Sequence, residues 1–350
     1  MRFANCAAAL LVGAVVVGAL VFGGGVRAAS RPAVMDYMAK AGFSAEDLAA
    51  LERGEAVTRI LKKEMVGAND TAEVAVAGAI RVDVTRQVFI DAVKNVKGFR
   101  NNSHLKMGII QNPPQASDFA GVMIPKDDIK DLKKCKPGKC ALKLAGDSLE
   151  EMQASIDWKA SDHGEQVNRF ARERLLLLTS NYVKQGTKAF KPLEDKKTSV
   201  SIDQQFRELL ENTPDLIVFY PGMATYLLDY PQATLASSRE VLFWTLKDFG
   251  LKPTVTITHV VGYMAEGTDD AVVAWKQVYA SHYFNGGLGI TTYAKDGDAS
   301  YLLQLDRVRA DSLGGMFGGV KQSKMAGAMK DDLDKFLRET RTSLQAAAKK

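Results

Sequence analysis

The stretch 271-AVVAWKQVYASHYFNGGLGITTYAKDGDASYLLQLDRVRAD-311 decides the fold. Runs rich in Val, Ile, Thr, Tyr and Trp are separated by 285-NGG-287 and 296-DGD-298, the pattern of antiparallel strands joined by tight hairpins. Two similar runs precede it, 240-EVLFWTLKDFG-250 and 253-PTVTITHVVGYMA-265, so a meander is expected from residue 240 to 311. After it come the glycine-rich 312-SLGGMFGGV-320 and a helix expected over 323–348. That helix carries Met325, Met329, Leu333, Phe336, Leu337 and Leu344 on one face, so it must pack on something large.

Turns fix register, and register fixes which side chains share a face. A turn centred on Gly286 sets Ser281 opposite Thr291, and a turn centred on Gly297 sets Thr291 opposite Leu303. One face then carries His259, Trp275, Gln277, Tyr279, Ser281, Tyr283, Tyr301, Leu303 and Arg307, with Val255, Ile257, Tyr293 and Leu305 between them. We expect this face to form an apolar cavity wall against Met329, Leu333 and Phe336 of the last helix. Gln277, Ser281, His259 and the tyrosine hydroxyls supply a polar patch within it. Arg307 at the mouth can hold a carboxylate or phosphate by paired hydrogen bonds. The plain alternatives are ordinary core for each tyrosine, and an ion-pair network for Arg307 with Asp306, Arg309 and Asp311.

Upstream, 72-AEVAVAGAIRVDVT-85 alternates as a strand and 86-RQVFIDAVKNVKGF-99 has helical spacing. Residues 29–71 are expected to be helical, with a serine cap and an acid three residues on at 44-SAEDLAALERGEAV-57. The charged stretch 120–144 reads as a stapled hairpin or extended loop at the surface. Residues 160–235 form a helical insertion, with an apolar stripe at Val167, Phe170, Ala171, Leu175, Leu178 and Tyr182 and helix breaks at Pro214 and Pro221.

The chain of 350 residues opens with Arg2, an almost wholly apolar run, and Val26-Arg27-Ala28. This is the layout of an export signal cleaved after Ala28. The run is also long enough for an uncleaved membrane anchor, the alternative. Either way the body is expected outside the cytoplasm, periplasmic or secreted. Removal of residues 1–28 takes away two arginines and no acid, lowering the formal charge from +5 to +3. That charge is too mild to point to nucleic acid or an anionic membrane. In an exported chain, Cys135 and Cys140 in 133-KKCKPGKCALKL-144 read as a disulfide across a Pro-Gly turn; Cys-x-x-Cys redox spacing and zinc-ligand spacing are both missing.

Catalytic motifs are sparse. Ser281 and His282 are adjacent on an expected strand and point to opposite faces, and no Gly-x-Ser-x-Gly elbow surrounds the serine. His104, His163, His259 and His282 have no metal-ligand spacing, and 312-SLGGMFGGV-320 is not a phosphate-binding loop. We therefore expect no catalytic residues, no cofactor and no metal.

A strand, a helix, a hairpin, a meander and one long amphipathic helix, over about 72–144 and 240–345, resemble the START-like, helix-grip (SRPBCC-type) group of ligand-binding proteins. The helical block at 160–235 departs from that plan. The stretches 135-CKPGKC-140, 279-YASHYF-284 and 306-DRVRADSLGG-315 also look like those of uncharacterised exported bacterial proteins. The first resemblance implies an α+β domain over 72–350, with an antiparallel sheet wrapped around the C-terminal helix and an apolar cavity between them. The expected function is a binding or carrier protein for a hydrophobic or lipid-like small molecule, with membrane or envelope association as a further partner class. The alternatives are a cyclase or hydrolase using His259 and tyrosine acids, and an envelope interaction protein with a filled core.

Overall fold

The computed structural model describes residues 31–92, 104–249, 252–265 and 267–349. The export segment expected over 1–28 lies outside them, as do residues 93–99 of the helix expected over 86–99. Two short helices, α1 (Val34–Lys40) and α2 (Ala45–Glu52), lead into the hairpin β1 (Val57–Gly67) and β2 (Thr71–Val82). Next come α3 (Arg86–Ala92) and β3 (His104–Ile110). The segment between β3 and β4, wider than the insertion expected over 160–235, holds α4 (Lys126–Leu132), α5 (Gly146–Ser155), α6 (His163–Gln185), α7 (Ile202–Glu211), α8 (Pro214–Phe219) and α9 (Pro221–Asp229). The meander β4 (Arg239–Lys247), β5 (Thr254–Met264), β6 (Ala271–Ala280), β7 (Phe284–Asp296) and β8 (Ala299–Ala310) then runs into the long helix α10 (Gly318–Ala347).

The protein is α+β, built on an eight-stranded antiparallel sheet in the order β1-β2-β8-β7-β6-β5-β4-β3. The last strand returns beside the second, in unbroken register from Ala72↔Ala310 to Val82↔Ser300. Both faces are covered. On one, α3 and α10 pack Phe89, Ile90, Leu333 and Leu337 against Val76, Ile80, Val260, Tyr293 and Leu302. On the other, α1 and α2 cover Ala77, Tyr301 and Leu303, α7–α9 cover Val272, Leu288 and Ile290, and α6 covers Leu242, Trp244 and Ile257. Pro214 and Pro221 sit at helix starts, where a missing N–H costs nothing. No helix among the described residues is long and apolar enough to cross a membrane.

Several expectations are corrected. The segment 29–71 is helical only to Glu52; Gly54, with φ 83°, ends that stretch, and residues 57–67 form edge strand β1 with alternating burial. Its edge carries Lys62 and Lys63, charges that discourage strand addition. The stretch 120–144 is not one long hairpin or extended loop: α4 forms, and the stapled hairpin is confined to the Lys136–Lys139 turn, closed by the Cys135–Cys140 disulfide. Cys135 is buried among Leu132, Leu142, Leu149 and Met152, so this strap is part of the core. It is latched to the sheet by His282, whose ring nitrogens face Ala141 O and Asp128 Oδ2, both at 2.9 Å.

The meander register also differs. The β6–β7 reversal lies at His282-Tyr283, where Tyr283 takes φ 57°, and 285-NGG-287 is extended strand. The pairing Lys276↔Leu288 replaces the expected Ser281 opposite Thr291. Those glycines serve packing. Gly286 lies under Leu209 and Gln205, and Gly287 and Gly289 lie under the Trp275 indole, which donates to Asp306 Oδ1 at 3.0 Å. At the next turn, Asp296↔Ala299 leaves a two-residue loop, so Thr291 faces Gln304 and not Leu303. That one-residue difference moves Tyr301, Leu303, Leu305 and Arg307 to the opposite face. A bulge between the pairs Ile257↔Tyr279 and Thr258↔Gln277 likewise puts His259 on the opposite face from Trp275.

The Trp275 packing makes a prediction. A Cβ on Gly289 would overlap the indole nitrogen and the Asp306 carboxylate. Gly289→Ala should therefore destabilise the fold by about 1 to 3 kcal/mol or more, measured by denaturant unfolding. A neutral result would contradict this packing.

Candidate functional site

A cavity of about 300 Å³ lies on the insertion side of the sheet, where the strap, α5 and α6 arch over the ends of β5 and β6. Val255, Tyr279 and Ser281 form its floor; Phe170, Leu178, Phe190 and Met152 are among its walls. The α6 stripe builds one side because residues three and four apart share a helix face. Ala171 lines the cavity too, a small residue at a position that leaves the space open. The Tyr279 hydroxyl donates to Lys143 O at 2.8 Å, and the Ser281 hydroxyl accepts from Val255 N–H at 3.0 Å. Burial pushes the Tyr279 phenol up, so it stays neutral.

The charged lining residues include Arg174 and Lys191. Arg174 gives its two terminal nitrogens to Glu151 at 2.8 and 2.9 Å, and Lys191 pairs with Asp147 at 2.5 Å. The buried Nε of Arg174 has no acceptor among the described residues. A buried donor left this way costs free energy.

Beside the cavity, on the same sheet face, lies a polar relay that runs from buried Tyr182 and His259 to exposed Glu240. Glu240 can only accept, so His259 Nε2 carries a proton toward it at 2.9 Å, and Nδ1 accepts from the Tyr182 hydroxyl at 2.8 Å. Tyr226 also donates to Glu240, at 2.5 Å. Burial holds the His259 pKa down, against the pull of Glu240, which keeps the ring neutral. Hydrogen bonds from His259, and then from Tyr226, hold the Glu240 carboxyl below its usual range against partial desolvation. Tyr230 stacks on Tyr182 and lies tilted against His259, with ring centres 4.9 and 4.7 Å away. The relay joins α6 and α9 to β4 and β5.

The residues expected to share one site do not converge. Tyr279 and Ser281 line the cavity. Met329, Leu333, Phe336 and Trp275 pack together on the α10 face, and Gln277 lies on that face two residues along β6. Tyr301 and Leu303 lie under α1 and α2, and His259 is in the relay. Tyr283 is in the β6–β7 turn, its hydroxyl accepting from Lys252 N–H at 3.0 Å. Arg307 pairs with buried Glu73 at 2.9 Å, as does Arg309 at 3.0 Å, so the cluster at the sheet end is an ion-pair network that also includes Glu208.

The missed lining residues had a visible signal. The run Leu175–Leu178 gives α6 more apolar surface than one stripe needs. Lys276 was also missed, although a lysine facing inward between Ala274 and Val278 breaks an otherwise apolar strand. Its Nζ donates to Leu227 O at 3.0 Å and to Thr187 Oγ1 at 3.3 Å, and sits 4.0 Å from the centre of the Phe206 ring.

Burial pushes the Lys276 pKa down to about 7. An unfolded lysine titrates near 10.4, about three units higher. Between those values the unfolded chain binds more protons, so this group makes stability rise with pH. Lys276→Met removes that dependence. Its stability relative to wild type should fall by up to about 1.4 kcal/mol per pH unit from pH 7 to about 10, and be flat below pH 6. Denaturant melts across pH 5–10.5 test this; a pH-independent difference would contradict it. No protein-family model matches the chain, and no curated protein sequence is significantly similar to it.

Proposed function

We propose that the protein is an exported binding or carrier protein for a small hydrophobic or lipid-like ligand, held in the cavity between α6, the strap and the ends of β5 and β6. The observation that carries the reading is this mostly apolar cavity with the unsatisfied Arg174 Nε beside it. Ligand pockets combine apolar walls with a few polar groups and span about 300 to 1,000 Å³, so this one suits a small molecule. Affinity would come from apolar burial, about 25 cal/mol per Å² before ordering costs. A carboxylate or carbonyl on the ligand would accept from Arg174.

Export is supported by the pattern of residues 1–28 and by the disulfide, which suits an oxidising compartment. The START-like, helix-grip reading is supported by the order strand, helix, antiparallel meander and long C-terminal helix, although the cavity lies on the sheet face opposite α10. Envelope association is supported by Met316, Phe317 and Val320, exposed beside Lys321 and Lys324. The enzymatic alternative, with His259 as base, has less support, because His259 and Tyr182 are buried in the relay and neither lines the cavity.

Anilinonaphthalene sulfonate, apolar with one anionic group, is a suitable fluorescent probe. Ala171→Phe, which fills the cavity, should weaken its binding at least tenfold, and Met329→Ala, on the α10 face, should change it less than twofold. Binding that Met329→Ala abolishes and Ala171→Phe leaves intact would move the site to the α10 face. A folded protein that binds neither this probe nor a fatty acid would contradict the reading.

A further inference from the structure

Four buried polar side chains meet where the strap passes the ends of β7 and β8. Lys143, Asn285, Asp195 and Asp311 are between 1% and 4% exposed. Lys143 Nζ donates to Asn285 Oδ1 at 2.7 Å and to Asp311 Oδ2 at 2.5 Å, and Asp195 Oδ2 lies 3.7 Å away. The Asn285 amide is pinned from its other end, because Nδ2 donates to Thr71 Oγ1 at 3.0 Å. The Lys143 backbone is fixed too: its N–H donates to Ser281 O at 2.9 Å, and its C=O accepts from Tyr279. Amine and amide are thus held in contact although they lie 142 residues apart in sequence.

As an ion-pair site this cluster is poorly economical, since desolvating an ammonium and two carboxyls recovers little stability. It does contain every component of one reaction. A primary amine touches a primary amide carbonyl, a carboxylate is in place to take the ammonium proton, and a second carboxyl is close by. Burial raises the pKa of Asp195, which favours its acid form. Water is largely excluded, and the reacting groups are already oriented.

We propose that Lys143 and Asn285 join in an intramolecular isopeptide bond, which the protein forms on itself with Asp311 and Asp195 handling the protons. Asp311 takes a proton from the ammonium, and the freed Nζ lone pair attacks Asn285 Cγ. Asp195 protonates Nδ2 and recovers a proton from Nζ as the tetrahedral intermediate collapses. The Nζ–Cγ bond forms and the Cγ–Nδ2 bond breaks. Ammonia leaves, taking up the proton held by Asp311. Nothing is oxidised or reduced, and no co-reactant is needed. The product ties the strap to β7, closing a covalent loop over residues 143–285 that holds α5 to α9 and most of the cavity lining. This inference does not depend on what the cavity holds.

Mass spectrometry of the purified protein tests it. The intact mass, corrected for the disulfide and any N-terminal cleavage, should be lower than the sequence mass by one ammonia. A protease digest should yield one branched peptide containing both Lys143 and Asn285. Lys143→Met and Asp311→Ala should restore the ammonia; if a variant fails to fold, the wild-type digest decides alone. Two linear peptides at full mass would overturn the proposal. So would loss of ammonia without a branched peptide, which is succinimide formation at Asn285-Gly286, and so would loss of water, which joins Lys143 to an aspartate instead.

Discussion

Thr254 to Gly262 on β5 are buried without a break, as are Asn285 to Ala294 on β7, so neither strand has a solvent face. Antiparallel sheets commonly leave one face to water, with polar residues alternating outward. Here the sheet must be covered twice, and the sequence supplies two covers from different parts of the chain. Helix α10, reached only after β8 has returned beside β2, lies across β1 and β2 and, with α3, closes one face. The insertion between β3 and β4 closes most of the other. The insertion is therefore structural. Its arch over the ends of β5 and β6 leaves the space that forms the cavity.

Second covers of this kind need anchors, and the anchors are polar. The relay from Tyr182 through His259 to Glu240, the Lys276 contact with Leu227 and Thr187, and the Lys143 cluster all join insertion or strap to strand. A polar group buried with its partners in place penalises any other docking arrangement, because every alternative leaves a donor or acceptor unpaired. Apolar contact holds the layers together; these groups fix where the upper one sits.

The architecture was largely legible. β-branched runs marked the meander, helical periodicity marked α6 and α10, and the Pro-Gly turn marked the disulfide. Register was not, because three local events each reset it. Tyr283 in a left-handed conformation takes the turn that Asn-Gly-Gly advertises, since those glycines are needed for close approach to Trp275 and α7. A two-residue loop at Gly297-Asp298 and a bulge in β6 then exchange faces. With a side-chain period of two, one residue suffices to scatter a proposed site, and that is what happened to His259, Tyr301 and Arg307. Tyr279 and Ser281 still reach the cavity, at its floor.

Native mass spectrometry of protein expressed in its own host, before and after denaturation, tests whether the space beneath α6 holds a hydrophobic ligand. Wild type should release a small, predominantly apolar molecule carrying a hydrogen-bond acceptor, in near-stoichiometric amount, and Ala171→Phe should release none. Equal release from both proteins, or no release from either, would contradict ligand binding there.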